Sequence, residues 1–123
     1  MKKILVVDDS VAIYRQLQKM LQEIGGYEVV GHAQNGAEAI KLYKILKPDL
    51  VLMDIVMPMM DGIQALRTLM RMDSQARVVV VSSVGGAAQK VEEALRLGAR
   101  NVVSKPFEPE KLKAILQSVF SEE

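Results

Sequence analysis

The chain contains no cysteine, which excludes disulfides and thiolate–zinc sites outright. Its single histidine, His32, has no companion ligands nearby in sequence and reads as structural or solvent-facing. No apolar stretch approaches the ~20 residues of a membrane span. The start, Met1-Lys2-Lys3-Ile4, runs into an apolar segment too short for a signal peptide, with no small-residue cleavage site behind it. A cytoplasmic protein without membrane insertion is expected. Charge of one sign is also missing: 16 basic and 15 acidic residues leave a net +1, no electrostatic case for direct nucleic acid binding. No G-x-G-x-x-G follows the first apolar run, and no glycine-rich loop ends in Lys-Ser/Thr, so the common nucleotide-binding loops are absent.

What is there is a set of short apolar runs with reactive groups at their ends. They are Ile4-Leu5-Val6-Val7-Asp8-Asp9, Asp49-Leu50-Val51-Leu52-Met53-Asp54, Val78-Val79-Val80-Val81-Ser82-Ser83 and Val102-Val103-Ser104-Lys105-Pro106. Each reads as a parallel strand buried on both faces. In an open α/β sheet, ligands sit beyond the carboxyl ends of the strands. Three acids, a hydroxyl and an amine therefore converge on one crevice.

Helical spacing fills the intervals. Ile13, Leu17, Met20, Leu21 and Ile24 make one stripe, with Ser10 as N-cap and Gly25-Gly26 as the stop. Tyr27-Glu28-Val29-Val30 reads as a second strand. Asn35-Gly36 opens a helix carrying Ala39, Ile40, Tyr43 and Leu46, closed by Pro48. After the turn-rich Met57-Pro58-Met59-Met60-Asp61-Gly62 comes a stripe of Ile63, Leu66, Leu69 and Met70. Gly85-Gly86 leads to Val91, Ala94, Leu95 and Leu97, stopped by Gly98; the last helix starts near Glu108-Pro109. Strand and helix thus alternate five times without a long linker, which predicts one α/β domain over residues 1–123, a parallel sheet with helices on both faces. With 123 residues, about two-thirds of the unfolded surface can be buried. Strand order does not follow from these rules.

Asp8, Asp9 and Asp54 would repel one another unless one takes a proton or a cation enters. Magnesium suits such a pocket, because it takes carboxylate, carbonyl and water oxygens in octahedral geometry. It also neutralises charge on a phosphoryl group, the main demand of phosphoryl transfer. Lys105 adds a mobile positive charge for a phosphate oxygen or a carboxylate, and Ser82 or Ser83 a hydroxyl donor. Asp54, alone on its strand, is the candidate nucleophile that would become an acyl phosphate. Individually, an Asp at a strand end is often a turn former, and a lysine a solvated charge. Their joint appearance at strand ends is harder to assign to turns.

These residues resemble the receiver domains of two-component response regulators, and weakly those of the chemotaxis type. The marks are Val7-Asp8-Asp9-Ser10, Met53-Asp54 followed by Met57-Pro58 and Met60-Asp61-Gly62, Val81-Ser82, and Lys105-Pro106-Phe107, in this order over essentially the whole chain. The resemblance implies the flavodoxin-like strand order 2-1-3-4-5, which a chemotaxis receiver exemplifies. It implies that Asp54 accepts a phosphoryl group from a histidine kinase, with Mg2+ held by Asp8, Asp9, Asp54 and the backbone carbonyl of Val56. Lys105 would pair with the carboxylate, and the Lys105–Pro106 bond would be cis. Such a protein is a switch, not an enzyme beyond its own phosphoryl acceptance and hydrolysis. Its downstream protein would meet the face of the fourth helix, fifth strand and fifth helix.

Two positions depart from the family pattern. Counting from Asp54 selects Ser82 as the switch hydroxyl, whereas counting back from Lys105 selects Ser83. Ser82 is preferred because it closes the valine strand, and the extra residue can sit at Gly85-Gly86. The aromatic usually found three residues before the lysine is Val102 here, so output by rotation of a ring is not available. The chain stops soon after its fifth helix, which suits a stand-alone receiver or a piece of a larger regulator such as a transcription factor or a methylesterase. A magnesium-dependent aspartyl-phosphate phosphatase is disfavoured, since Val56 stands where its second acid belongs.

Overall fold

The computed structural model describes residues 1–55, 62–83 and 88–121. Among the described residues, five strands and five helices alternate. They are β1 (Lys2–Val7), α1 (Val11–Ile24), β2 (Tyr27–Ala33), α2 (Gly36–Leu46), β3 (Leu50–Asp54), α3 (Gly62–Met72), β4 (Val78–Ser83), α4 (Ala88–Leu97), β5 (Asn101–Lys105) and α5 (Pro109–Ser121). The strands form one parallel sheet in the order β2-β1-β3-β4-β5, which matches the order implied by the family resemblance.

Alternation along the central strands divides the core into two layers. Leu5, Val7, Val51, Met53, Val78 and Val80 pack against Ala39 of α2, Ile63, Leu66 and Leu69 of α3 and Ala94 of α4. Ile4, Val6, Leu50, Leu52, Val79 and Val81 pack on the other side against Leu17 and Leu21 of α1 and Leu112, Leu116 and Val119 of α5. Both faces of the sheet are therefore covered, and the continuous apolar runs need no polar alternation.

The helix boundaries follow local chemistry. Ser10 caps α1, its hydroxyl accepting from the Ile13 amide at 3.2 Å, and Asn35 caps α2 by accepting from the Glu38 amide at 2.9 Å. Gly25 ends α1 at φ 82, where a side chain would be strained. Lys47 ends α2 at φ 47, a left-handed conformation in a residue with a Cβ.

One boundary differs from the sequence reading. Strand β2 does not stop at Val30 but runs on through Gly31-His32-Ala33, which pair with Leu5, Val6 and Val7. The register shifts between Ile4 and Leu5, which face Val29 and Gly31, so Val30 is the extra residue of a bulge. Pairing with β1, and not a local apolar pattern, makes this last stretch a strand. It brings His32 beside the carboxyl end of β1.

Candidate functional site

The carboxyl ends of β1, β3, β4 and β5 lie side by side because the strands are parallel and in neighbouring registers. Continuing the alternation, Asp8 follows Ile4 and Val6, Asp54 follows Leu50 and Leu52, and Lys105 follows Val103. All three therefore belong to the α1/α5 side of the sheet. Asp8 and Asp54 are buried, 2% and 7% exposed, while Asp9 stands at the open edge. Carboxylate oxygens of Asp8, Asp9 and Asp54 all lie within 4.8 Å of one another.

Lys105 Nζ sits 3.5 Å from Asp8 Oδ2 and 3.5 Å from Asp54 Oδ2, so one ammonium faces two buried acids. Asp8 Oδ1 accepts a hydrogen bond from the Ser10 amide at 2.8 Å. Burial raises the Asp8 pKa above the ordinary carboxylate value; the Ser10 amide lowers it, the Asp54 charge raises it further, and Lys105 lowers it again. The net direction is upward. One lysine does not offset the desolvation of this pocket, and a hard divalent cation would complete the compensation. Three carboxylates at this spacing fit magnesium, which takes oxygen donors and keeps several waters. Val56, the residue expected to offer a carbonyl, lies outside the described residues, as do the turn-rich sequence at 57–61 and Gly85-Gly86.

The two candidate hydroxyls occupy different surroundings. Ser82 is buried, 7% exposed, pairs with Ser104, and its hydroxyl donates to the Ser83 carbonyl at 3.3 Å. Ser83 is exposed and pairs with Lys105. Alternation puts Ser82 on the side of Val80 and Val102, which pack in the α2/α3/α4 layer. Beyond Lys105 the peptide bond to Pro106 is cis.

A model of the response regulator receiver domain matches residues 4–117. The chain belongs to this family. The receiver is 43% identical to the chemotaxis protein CheY of Thermotoga maritima, over 96% of this chain and 97% of that one. It is 42% identical to CheY of Bacillus subtilis, over 89% of this chain and 90% of the relative. Among solved structures, the CheX–CheY–BeF3–Mg complex of Borrelia burgdorferi aligns at a TM-score of 0.88 with 36% identity, covering 97% of this chain and 89% of that one. The response regulator domain of Thermotoga maritima CheB aligns at 0.83 with 37% identity, covering 98% and 97%. The receiver is thus a module of phosphorylation-controlled two-component signalling, a switch and not a conventional enzyme. Among its described residues no helix is long and apolar enough to cross a membrane.

Two contacts beside the site are not visible in the sequence. His32 Nε2 lies 2.8 Å from the Asp8 carbonyl oxygen. Gly62 opens α3 against the backbone of Asp54 and Ile55, its amide donating to the Ile55 carbonyl at 3.3 Å. His32 carries no local signal for the site, and Gly62 appears in sequence only as the end of the Met60-Asp61-Gly62 mark. The order β2-β1 puts His32 there, and the return of α3 across β3 does the same for Gly62.

Proposed function

We propose that the receiver, acting as one unit over residues 1–123, accepts a phosphoryl group on Asp54 from the phosphohistidine of a histidine kinase. Asp8, Asp9, Asp54 and the Val56 carbonyl hold Mg2+ in this reading. Bound there, the ion supplies charge neutralisation to the phosphoryl oxygens. An Asp54 carboxylate oxygen forms the new bond to phosphorus as the bond from phosphorus to the donor imidazole nitrogen breaks, its electron pair returning to the ring. Lys105, already 3.5 Å from Asp54 Oδ2, follows the added charge, roughly −1.5 to −2 at pH 7. The observation that carries the proposal is the trio of carboxylates within 4.8 Å beside a shared lysine.

Ser82 is our choice for the hydroxyl that donates to a phosphoryl oxygen. It is buried at the strand end and shares its side of the sheet with Val102, so a shift of Ser82 passes into the α4 layer. The output is a population shift that favours a protein partner on the α4–β5–α5 face. A cleft of about 250 Å³ lined by Val102, Ser104, Lys105, Pro106, Lys111 and Ile115 opens on that face. With a valine at 102, output runs through backbone and packing shifts instead of ring rotation. Similarity to the CheY proteins favours a cytoplasmic role in chemotaxis.

Incubation with magnesium and acetyl phosphate should add one phosphoryl group, read as intact mass. The Asp54→Asn variant should take up none; continued labelling of that variant would refute the assignment. Ser82→Ala should slow uptake more than Ser83→Ala, and the reverse order would move the switch hydroxyl to Ser83. A second reading, a receiver joined to an output domain, is favoured by the 40% identity to a probable transcriptional regulator of Cyanophora paradoxa, of which the chain spans 48%. The intact mass of the native protein decides between the two.

A further inference from the structure

Asp8 must present its side chain to the pocket while its own backbone leaves the sheet. Its amide is the last rung of the ladder, donating to the Ala33 carbonyl at 2.9 Å. Just beyond β2 the chain turns into α2, and the Gln34 amide donates to Glu38 Oε1 at 3.2 Å. The Asp8 carbonyl is met by a side chain instead, His32 Nε2 at 2.8 Å. A carbonyl only accepts, so Nε2 carries the proton and donates. The imidazole in turn lies flat on Tyr14 in α1, ring centroids 4.1 Å apart and planes within 1°.

These contacts close a ring around the acidic loop. The Tyr14 amide donates to the Ser10 carbonyl at 3.1 Å, the Ser10 amide donates to Asp8 Oδ1 at 2.8 Å, and Tyr14 holds the imidazole that holds Asp8 O. Fixing the Asp8 carbonyl fixes the plane of the Asp8–Asp9 peptide. The directions in which both carboxylates leave the backbone are then fixed as well. We infer that His32 is a positioning residue for the metal-binding acids, acting through the Asp8 carbonyl and held in place by Tyr14. The inference rests on the reading of the pocket as a magnesium site. It assigns a task to the single histidine of the chain. Outer partners that orient metal ligands commonly change metal affinity when removed, although they touch no metal.

The test separates donation from stacking and reads metal binding alone. His32→Phe keeps an aromatic ring on Tyr14 but cannot donate. His32→Gln places an amide N–H at about the distance of Nε2 but gives up the ring. Magnesium dissociation constants come from calorimetric titration of the unphosphorylated chain, and melting temperatures from samples in chelator. His32→Phe should weaken magnesium binding about tenfold, and His32→Gln should recover it to within about threefold of the unaltered chain. Leu116→Ala, in the core of α5, should lower the melting temperature more while keeping magnesium affinity within about twofold. Should His32→Phe not fold, Tyr14→Leu carries the test, with an expected weakening of about three- to fivefold. The inference is overturned if His32→Phe binds magnesium like the unaltered chain, if His32→Gln binds no better than His32→Phe, or if Leu116→Ala loses as much affinity. Absence of magnesium binding by the unaltered chain would remove the metal reading itself, and this inference with it.

Discussion

Substituting Gly62 by alanine would press a methyl group into the backbone that carries Asp54. A Cβ built on Gly62 would lie 2.5 Å from the Ile55 Cα and 3.0 Å from the Asp54 carbonyl carbon, and would overlap the Asp54 carbonyl oxygen. Ordinary carbon contacts are about 3.5–4.0 Å, so β3 and α3 must separate by roughly 1 Å. No rotamer relieves this, because every opposing atom is main chain. Overpacking of this kind costs about 1–3 kcal/mol; alanine's advantage in a helix recovers at most about 1 kcal/mol and less at the first helical residue. A net loss of about 2 kcal/mol corresponds to a melting temperature lower by about 8 °C for a chain of this length. Gly31 supplies the comparison. Its built Cβ meets Leu46 Cδ1 at 2.6 Å and Leu5 Cδ1 at 3.3 Å, both side-chain ends that can swing, so Gly31→Ala should cost below about 1 kcal/mol. Thermal melts in chelator measure both, and phosphoryl uptake from acetyl phosphate should also slow in Gly62→Ala as Asp54 is displaced. The reasoning fails if Gly62→Ala melts within about 2 °C of the unaltered chain, or if Gly31→Ala proves the more damaging.

Further expectations concern the charges and one helix end. The raised pKa of Asp8 means that its contribution to metal-free stability is fully present below the ordinary value near 3.8 and is lost as pH rises through the folded-state value. Asp8→Asn should therefore melt higher than the unaltered chain at pH 7 in chelator, and the gain should vanish in acid. Magnesium must displace the proton that this site favours, so its affinity should fall as pH drops through the same window, read by calorimetry. Lys105→Met removes the ammonium shared by two buried acids; because the lysine is partly exposed, the metal-free chain should lose only about 1–2 kcal/mol. Added magnesium should raise its melting temperature more than that of the unaltered chain. Lys47→Gly relieves a side chain held at φ 47 and should stabilise by about 0.5–1 kcal/mol, measured by urea unfolding.

Most of the architecture was legible because each central strand is a continuous apolar run and each helix a spaced stripe, both signals carried by near neighbours in sequence. The three acids and Lys105 were legible for the same reason, since each closes such a run. What escaped depends on adjacency that only the fold creates. Gly31-His32-Ala33 has no strand pattern of its own and becomes a strand by pairing with Leu5, Val6 and Val7. His32 read as a bystander because nothing within its own segment suggests a partner, yet the β2-β1 pairing sets it against the Asp8 carbonyl. In sequence Gly62 is only the end of a turn-rich stretch and of a family mark, while its fit against Ile55 and Asp54 is a matter of how α3 returns across β3. The Ser82 and Ser83 ambiguity has a further cause: spacing counts residues, whereas the sheet sorts them by side.

That sorting gives the receiver two compartments with a wall between them. Asp8, Asp54 and Lys105 belong to the α1/α5 compartment, and Ser82 and Val102 to the α2/α3/α4 compartment. In the proposed switch Ser82 is the one member of the pocket that shares a side with Val102, so substitutions at Val102 and along α4 reach the chemistry through Ser82.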